Sequence, residues 1–336
     1  MSAWLRLRRD RWSVAAMAAL TLIFSLALFG GAIATQMLGH DGARPFPYAT
    51  NASLKPVGPW TRVPATNQAS LDDYGNILPP PRGTKKALMV LGADGSLGRD
   101  ELIRLLDGAR TSLEIAIGAV LVALMIAIPV GAIAGYFGGA ADTVVSRFTE
   151  TVMAFPLLLF LVFATARLSP SLRGVSWSWV VPTGVFSEAL LIGIFTSFYP
   201  TRLVRAQVVM LRSSEFVEAA HMIGASDSRI LRRHLFPHLI PTLLVWSTIA
   251  VATNILLEVG LSFIGVGVQP STPTWGSMLA TAWGTIYQPI VSNRFLPLSQ
   301  TPWQTIFPTA AILITVVALN QVSEGIRRAI EPWSRG

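Results

Sequence analysis

Long uncharged stretches alternate with short polar ones along this chain. The apolar stretches reach or approach the roughly 20 residues that cross a bilayer. They predict six helices: about Trp12 to Thr35, Leu113 to Tyr136, Val144 to Ala166, Val185 to Val204, Leu239 to Val259 and Thr305 to Ser323. The fourth is the least regular, because Glu188 and Pro200 interrupt it. The first reads as a retained anchor, since its apolar core is longer than a signal-peptide core and no persuasive cleavage site follows. Pro129, Pro156, Pro182, Pro200 and Pro308 fall inside or beside the stretches, where neighbouring helices or water satisfy the freed carbonyls. Small residues on the second helix (Gly118, Ala119, Ala123, Ala127, Gly131, Ala132 and Gly135) permit close helix packing. The pattern is that of an all-α polytopic membrane protein.

The polar segments differ in kind. From Gly39 to Pro81 the chain is rich in Pro, Gly, Asn, Asp and Ser, which predicts a loop with little regular structure. Asn51-Ala52-Ser53 fits a glycosylation sequon but carries no weight, because chance matches are common. From Gly98 to Arg110, Leu102, Ile103, Leu105 and Leu106 interleave with Arg99, Asp100, Glu101, Arg104 and Asp107. That spacing predicts an amphipathic helix on the outer membrane surface.

Residues 214–238 form the most informative polar segment. Ser214 is placed to cap a short helix over about Glu215 to Ile223, with Glu215 and Glu218 near its positive end. Gly224 supplies a left-handed stop, and Ser226 and Asp227 begin a second helix. Arg232, Arg233 and His234 load the end of that helix, and Pro237 and Pro241 are expected to break it. A polar two-helix hairpin between spans cannot lie in lipid, so it protrudes into water. Ala219 and Ala220 leave room for a partner's groove, while Met222 and Ile223 offer apolar contact. Candidate docking residues are Glu218, Ala219, Ala220, Met222, Ile223, Gly224 and Ala225, with Arg229, Arg232 and Arg233 at the rim.

Composition agrees with the class: 52% of the 336 residues are hydrophobic and only 13% charged, where a soluble domain carries about a quarter. The net charge of +8 does not point to nucleic acid, because the basic residues cluster beside apolar runs. They stand at Arg6, Arg8, Arg9 and Arg11, at Arg202, Arg205 and Arg212, at Arg229, Arg232 and Arg233, and at Arg327, Arg328 and Arg335. With six crossings, the positive-inside bias places both termini and the hairpin in the cytoplasm. There is no cysteine, hence no disulfide or thiolate metal site. Nor is there a Gly-x-x-x-x-Gly-Lys-Ser/Thr phosphate loop, so no ATP site of that type is expected. His40, His221, His234 and His238 show no zinc-protease spacing, and Pro237 intervenes between the last two. No catalytic or metal residue is assigned. Glu188 and Glu258, inside or near spans, are candidates for solute contact or for pairing with an arginine.

Glu218-Ala219-Ala220, Gly224, Ile230 and Pro237 resemble the "EAA" loop of the permease subunits of bacterial ABC importers. Gly92-Ala93-Asp94 with Gly98-Arg99-Asp100, Gly135-Tyr136-Phe137-Gly138-Gly139 and Leu257-Glu258-Val259-Gly260-Leu261-Ser262-Phe263-Ile264-Gly265 extend the likeness to the dipeptide/oligopeptide/nickel branch, C-type permease. The resemblance covers about residues 92 to 334. It departs at the insert 39–91, at extra residues about 281–302, and at Ala93, where the family has threonine. It implies six transmembrane helices in a type I ABC importer permease fold with an extracytoplasmic insert. The implied organisation is a tail and first helix (1–38), an insert (39–110) and a transmembrane domain (111–330) in the inner membrane. The implied partners are a homologous second permease, two ATPase subunits and a solute-binding protein. ATP and Mg would be bound by the ATPases, and no cofactor by this chain. Short peptides are the implied solute, with nickel or another small solute as the alternative. A stand-alone secondary transporter would predict inverted repeats and midplane charges, and a membrane enzyme a catalytic constellation. Neither pattern is visible.

Overall fold

A computed structural model of the chain describes residues 10–51, 55–66, 78–172, 184–269, 271–287 and 301–330. Arg6, Arg8, Arg9, Ala52, Ser53, Pro182, Pro270, Arg335 and most of the extra residues at 281–302 lie outside them. The described residues divide into two compact units, one within 1–18, 114–257 and 316–336, the other within 19–113 and 258–315.

Ten helices are described. They are α1 (Arg11–Leu38), α2 (Glu101–Phe137), α3 (Gly139–Met153), α4 (Leu157–Leu172), α5 (Val185–Thr196), α6 (Phe198–Arg212), α7 (Glu215–Met222), α8 (Asp227–Ile264), α9 (Trp275–Tyr287) and α10 (Trp303–Ile330). Among the described residues, α1, α2, α8 and α10 are each long and apolar enough to cross a membrane. The count becomes five if α3 and α4 form one bent span.

In the first unit, the expected third span is α3 and α4, bent by 90°. Pro156 sits at the bend: it lacks an N–H and disfavours helical backbone at Phe155. The expected fourth span is likewise split, into the 12-residue α5 and α6, with Ser197 between them. Pro200 is tolerated in the first turn of α6, where its missing N–H has no intrahelical partner to lose. The small residues of α2 do what their spacing predicts. A methyl group on Gly131 would come within 2.6 Å of the Thr201 carbonyl, and one on Gly135 within 2.7 Å of the Arg205 carbonyl. Only glycine lets α2 lie that close to the α6 backbone.

The expected break at Pro237 and Pro241 does not occur, since α8 runs unbroken from Asp227 to Ile264. Residues Ile230–Leu235 widen into a π turn, and the Phe236 N–H bonds five residues back to the Leu231 carbonyl. Opening the turn just before Pro237 makes room for its ring, so the helix absorbs the proline instead of ending.

In the second unit, the segment expected to be irregular contributes one strand to a small sheet. Strand β1 (Thr61–Pro64) pairs antiparallel with β2 (Lys86–Met89), Thr61 opposite Met89 and Pro64 opposite Lys86. Ala87 and Met89 alternate inward, as strand geometry requires, and join Phe46, Ala49, Val63 and Ala93 in a buried cluster. A second pair, β3 (Ala93–Asp94) and β4 (Arg99–Asp100), leads directly into α2. Residues 101–110 are therefore the first turns of the 37-residue α2, not a separate amphipathic helix. Much of their polar stripe is buried: Glu101 and Arg104 are inaccessible, with Arg104 against Asp94, while Asp107 is half-buried.

Candidate functional site

The hairpin predicted at 214–238 is present, and its local chemistry explains its shape. Ser214 takes the extended backbone of an N-cap, and its carbonyl accepts from the Val217 and Glu218 N–H groups. Its hydroxyl does not cap the helix; it donates to the Leu211 carbonyl at 2.5 Å. Gly224 has φ +80, the left-handed value that glycine adopts without strain. The Gly224 N–H bonds to the His221 carbonyl and the Ala225 N–H to the Ala220 carbonyl, a Schellman closure of α7.

The two faces of α7 differ. Val217 and Ala220 turn inward and join Ile230, Leu235 and Leu239 of α8 with Val204 and Val208 of α6. Ala225 packs against the same cluster. Ala220, expected at the docking surface, is only 4% exposed, because its place one turn after Val217 puts it on the core side. Glu218, Ala219 and Gly224 are exposed, while Met222 and Ile223 are 89% and 86% exposed. An open depression is lined by Glu215, Glu218, Ala219, His221 and Met222. Arg229 and Arg233 are exposed on α8. Arg232 is exposed too, but lines a different cavity with residues of α2.

Several residues that sequence reasoning left aside hold the hairpin in place. The Tyr136 hydroxyl, at the end of α2, donates to Asp227 Oδ1 at 2.8 Å and lies 3.1 Å from His221 Nε2. With its one proton given to Asp227, it accepts from a His221 protonated at Nε2. A single side chain thereby ties both helices of the hairpin to α2. Arg212 Nη1 donates to the carbonyls of Gly135 and Tyr136, each at 3.2 Å. Arg205 donates to both carboxylate oxygens of Asp142 on α3, Nη2 to Oδ2 at 2.8 Å. None of these pairs is close in sequence, so no local spacing announces them. The one available signal was Tyr136 itself, a polar side chain at the end of an apolar run.

The second unit holds the other polar concentration. Arg104 Nε lies 2.6 Å and Arg99 Nη2 3.3 Å from Asp94 Oδ2. His40 Nε2 lies 3.0 Å from Asp100 Oδ2, while Asp100 Oδ1 accepts the Ile103 N–H and caps α2. Burial, with Arg104 alongside, pushes the Arg99 guanidinium below its ordinary range, and Asp94 opposes the shift. Glu258 is fully buried among hydroxyls, accepting from Ser262 at 2.8 Å and Ser112 at 3.3 Å. Ser112 in turn accepts the Trp275 N–H. Glu258 is thus a bracket joining α8, α2 and the start of α9. Glu188 is buried in α5. Among the described residues, no group of three or more His, Asp or Glu side chains is arranged to hold a metal.

Residues 127–336 match the family of binding-protein-dependent transport system inner membrane components. The chain is 34% identical to a Brucella ovis protein whose name describes a peptide permease, over 72% of each chain. It is 34% identical to a glutathione transport system permease protein of Pectobacterium atrosepticum, over 72% of each. To a dipeptide transport system permease protein of Alkalihalophilus pseudofirmus it is 33% identical, over 70% of this chain and 69% of that one. An exposed hairpin leading into a membrane-length helix, a family model covering most of the chain and these relatives converge: the chain belongs to the binding-protein-dependent inner-membrane permeases, in the dipeptide/oligopeptide branch of ABC transporters.

Proposed function

We propose that this permease forms half of a translocation pore for short peptides. In this reading a homologous second permease supplies the other half, and two cytoplasmic ATPases drive it. The chain crosses the membrane six times with both termini in the cytoplasm, and the hairpin of α7 and the start of α8 enters a groove on an ATPase. ATP and Mg belong to the ATPases. The observation that carries the docking is the pair Met222 and Ile223, 89% and 86% exposed at the tip of a helix whose other face is buried. Large apolar side chains held in water by a rigid, closed turn are what a partner's pocket covers. Glu218, Ala219 and Gly224 share that exposed edge, with Arg229 and Arg233 as rim charges.

The rigid link supports a mechanical role. A force on α7 passes from His221 through Tyr136 to α2, and through the apolar cluster to α6 and α8, with Arg212 bonding the end of α6 to α2. ATPases that bind the hairpin differently in their ATP and ADP states would bias the tilt of those helices. Relatives named for peptide, dipeptide and glutathione transport support a short peptide as the solute.

The test is the double substitution Met222→Glu with Ile223→Glu. Copurified ATPase and uptake of a labelled dipeptide should both fall to background, with membrane insertion intact. Gly224→Pro and Glu218→Lys should act in the same direction. Uptake at the unsubstituted level in the double variant would overturn the docking role.

A further inference from the structure

A cavity of about 650 Å³ opens between the second half of α2 and the first turns of α8. Its wall is apolar, with Ile133 and Phe137 of α2 facing Leu231 and Phe236 of α8. The polar side chains on it are Asp227, Ser228 and Arg232. The Asp227 carboxylate is engaged by the Tyr136 hydroxyl at 2.8 Å. Arg232 is exposed and has no hydrogen bond or ion pair with any described residue.

An apolar wall with a guanidinium that makes no ion pair among the described residues, and whose one neighbouring carboxylate on the wall, Asp227, is bonded to Tyr136, fits a ligand that is greasy along its length and anionic at its head. Both helices that form it are long and apolar enough to cross a membrane. We propose that this cavity binds an anionic phospholipid. An acyl chain lies against Ile133, Phe137 and Leu231, the headgroup phosphate meets Arg232, and the Ser228 hydroxyl is a second donor. Guanidinium suits the task, since its planar donors match two phosphate oxygens at once. A basic side chain at the polar end of membrane helices attracts anionic lipid in preference to zwitterionic. The site requires only that the chain lies in a membrane and is independent of the hairpin's docking role.

The full-length chain, purified in mild detergent and incubated with phosphatidylglycerol or phosphatidylcholine, is to be examined by native mass spectrometry. The unsubstituted chain should retain phosphatidylglycerol over phosphatidylcholine. Arg232→Gln should reduce that preference about fivefold, the effect of one basic residue against anionic lipid. Arg232→Lys, which keeps the charge but not the two-oxygen geometry, should fall between the unsubstituted chain and Arg232→Gln. Ala132→Phe, which fills the cavity from the α2 side, should reduce retention of both lipids. Equal retention of the two lipids by the unsubstituted chain, or an undiminished preference in Arg232→Gln, would overturn the site. So would unchanged retention in Ala132→Phe, because the acyl chain would then lie elsewhere.

Discussion

The hairpin and the charged cluster at the start of α2 are both polar regions beside membrane helices, yet they handle their side chains in opposite ways. The cluster buries charge: Asp94, Asp100, Glu101 and Arg104 are almost wholly inaccessible, with Asp94 between two guanidinium groups and Asp100 against His40. The hairpin exposes grease at Met222 and Ile223, with its charged groups Glu218, Arg229 and Arg233 on the same surface of the chain. The pairs made by Asp94 and Asp100 lie within the chain and fix one arrangement of its segments, while both oxygens of the buried Glu101 carboxylate have no hydrogen-bond partner among the described residues. Exposed apolar groups on a rigid support are incomplete and call for another surface. The first region acts as a scaffold, and on the proposed docking the second is a contact.

The sharpest way to break this contrast is at Asp94. Asp94→Ala leaves Arg99 and Arg104 facing each other in a buried site, and should cost about 3–5 kcal/mol of stability. Thermal unfolding of the detergent-purified chain reads it; an unchanged midpoint would mean that the cluster is not a scaffold. Next in size are the two alanines of α7. Ala220→Leu should cost about 1–3 kcal/mol by overpacking the cluster around Val204 and Ile230. Ala219→Leu, one residue away but exposed, should unfold like the unsubstituted chain. Equal costs at the two positions would deny that α7 has an inner and an outer face.

Tyr136→Phe removes one hydroxyl that serves both helices of the hairpin and should cost about 0.5–1.5 kcal/mol. Faster hydrogen exchange confined to residues 215–230 would show that the loss is local to the lever. The smallest stability change is expected at the tip: Met222→Glu with Ile223→Glu should leave unfolding within about 0.5 kcal/mol. Their effect belongs to partner binding, so a large loss of stability there would make the tip part of the chain's own core.

Much of the hairpin was legible because its signals are local. Gly224 ends a helix by its own backbone freedom, and Val217 and Ala220 lie one turn apart on one face whatever surrounds them. Gly131 and Gly135 likewise announce a close approach by the lack of a side chain, though not that α6 is the neighbour. The cluster was misread as an amphipathic surface helix because a striped pattern states only that one face is polar. What meets that face came from His40 and Asp94, and spacing within 98–110 contains neither. Pro237 was expected to break a helix that instead runs through it, since a π turn absorbed the ring. The split of α5 from α6 was foreshadowed by Glu188 and Pro200, yet the break falls at Ser197, which carries no breaking chemistry of its own.

Local chemistry alone settles that this chain has membrane-length apolar helices and an exposed two-helix hairpin, because hydropathy and turn geometry act over a few residues. The union of distant segments decides which of the hairpin's alanines faces out, that Tyr136 bonds to both of its helices, and that Arg232 lines an apolar cavity with residues of α2. Those outcomes depend on which neighbours arrive. Burial and charge pairing are properties of an assembled environment, not of any residue taken in order along the chain.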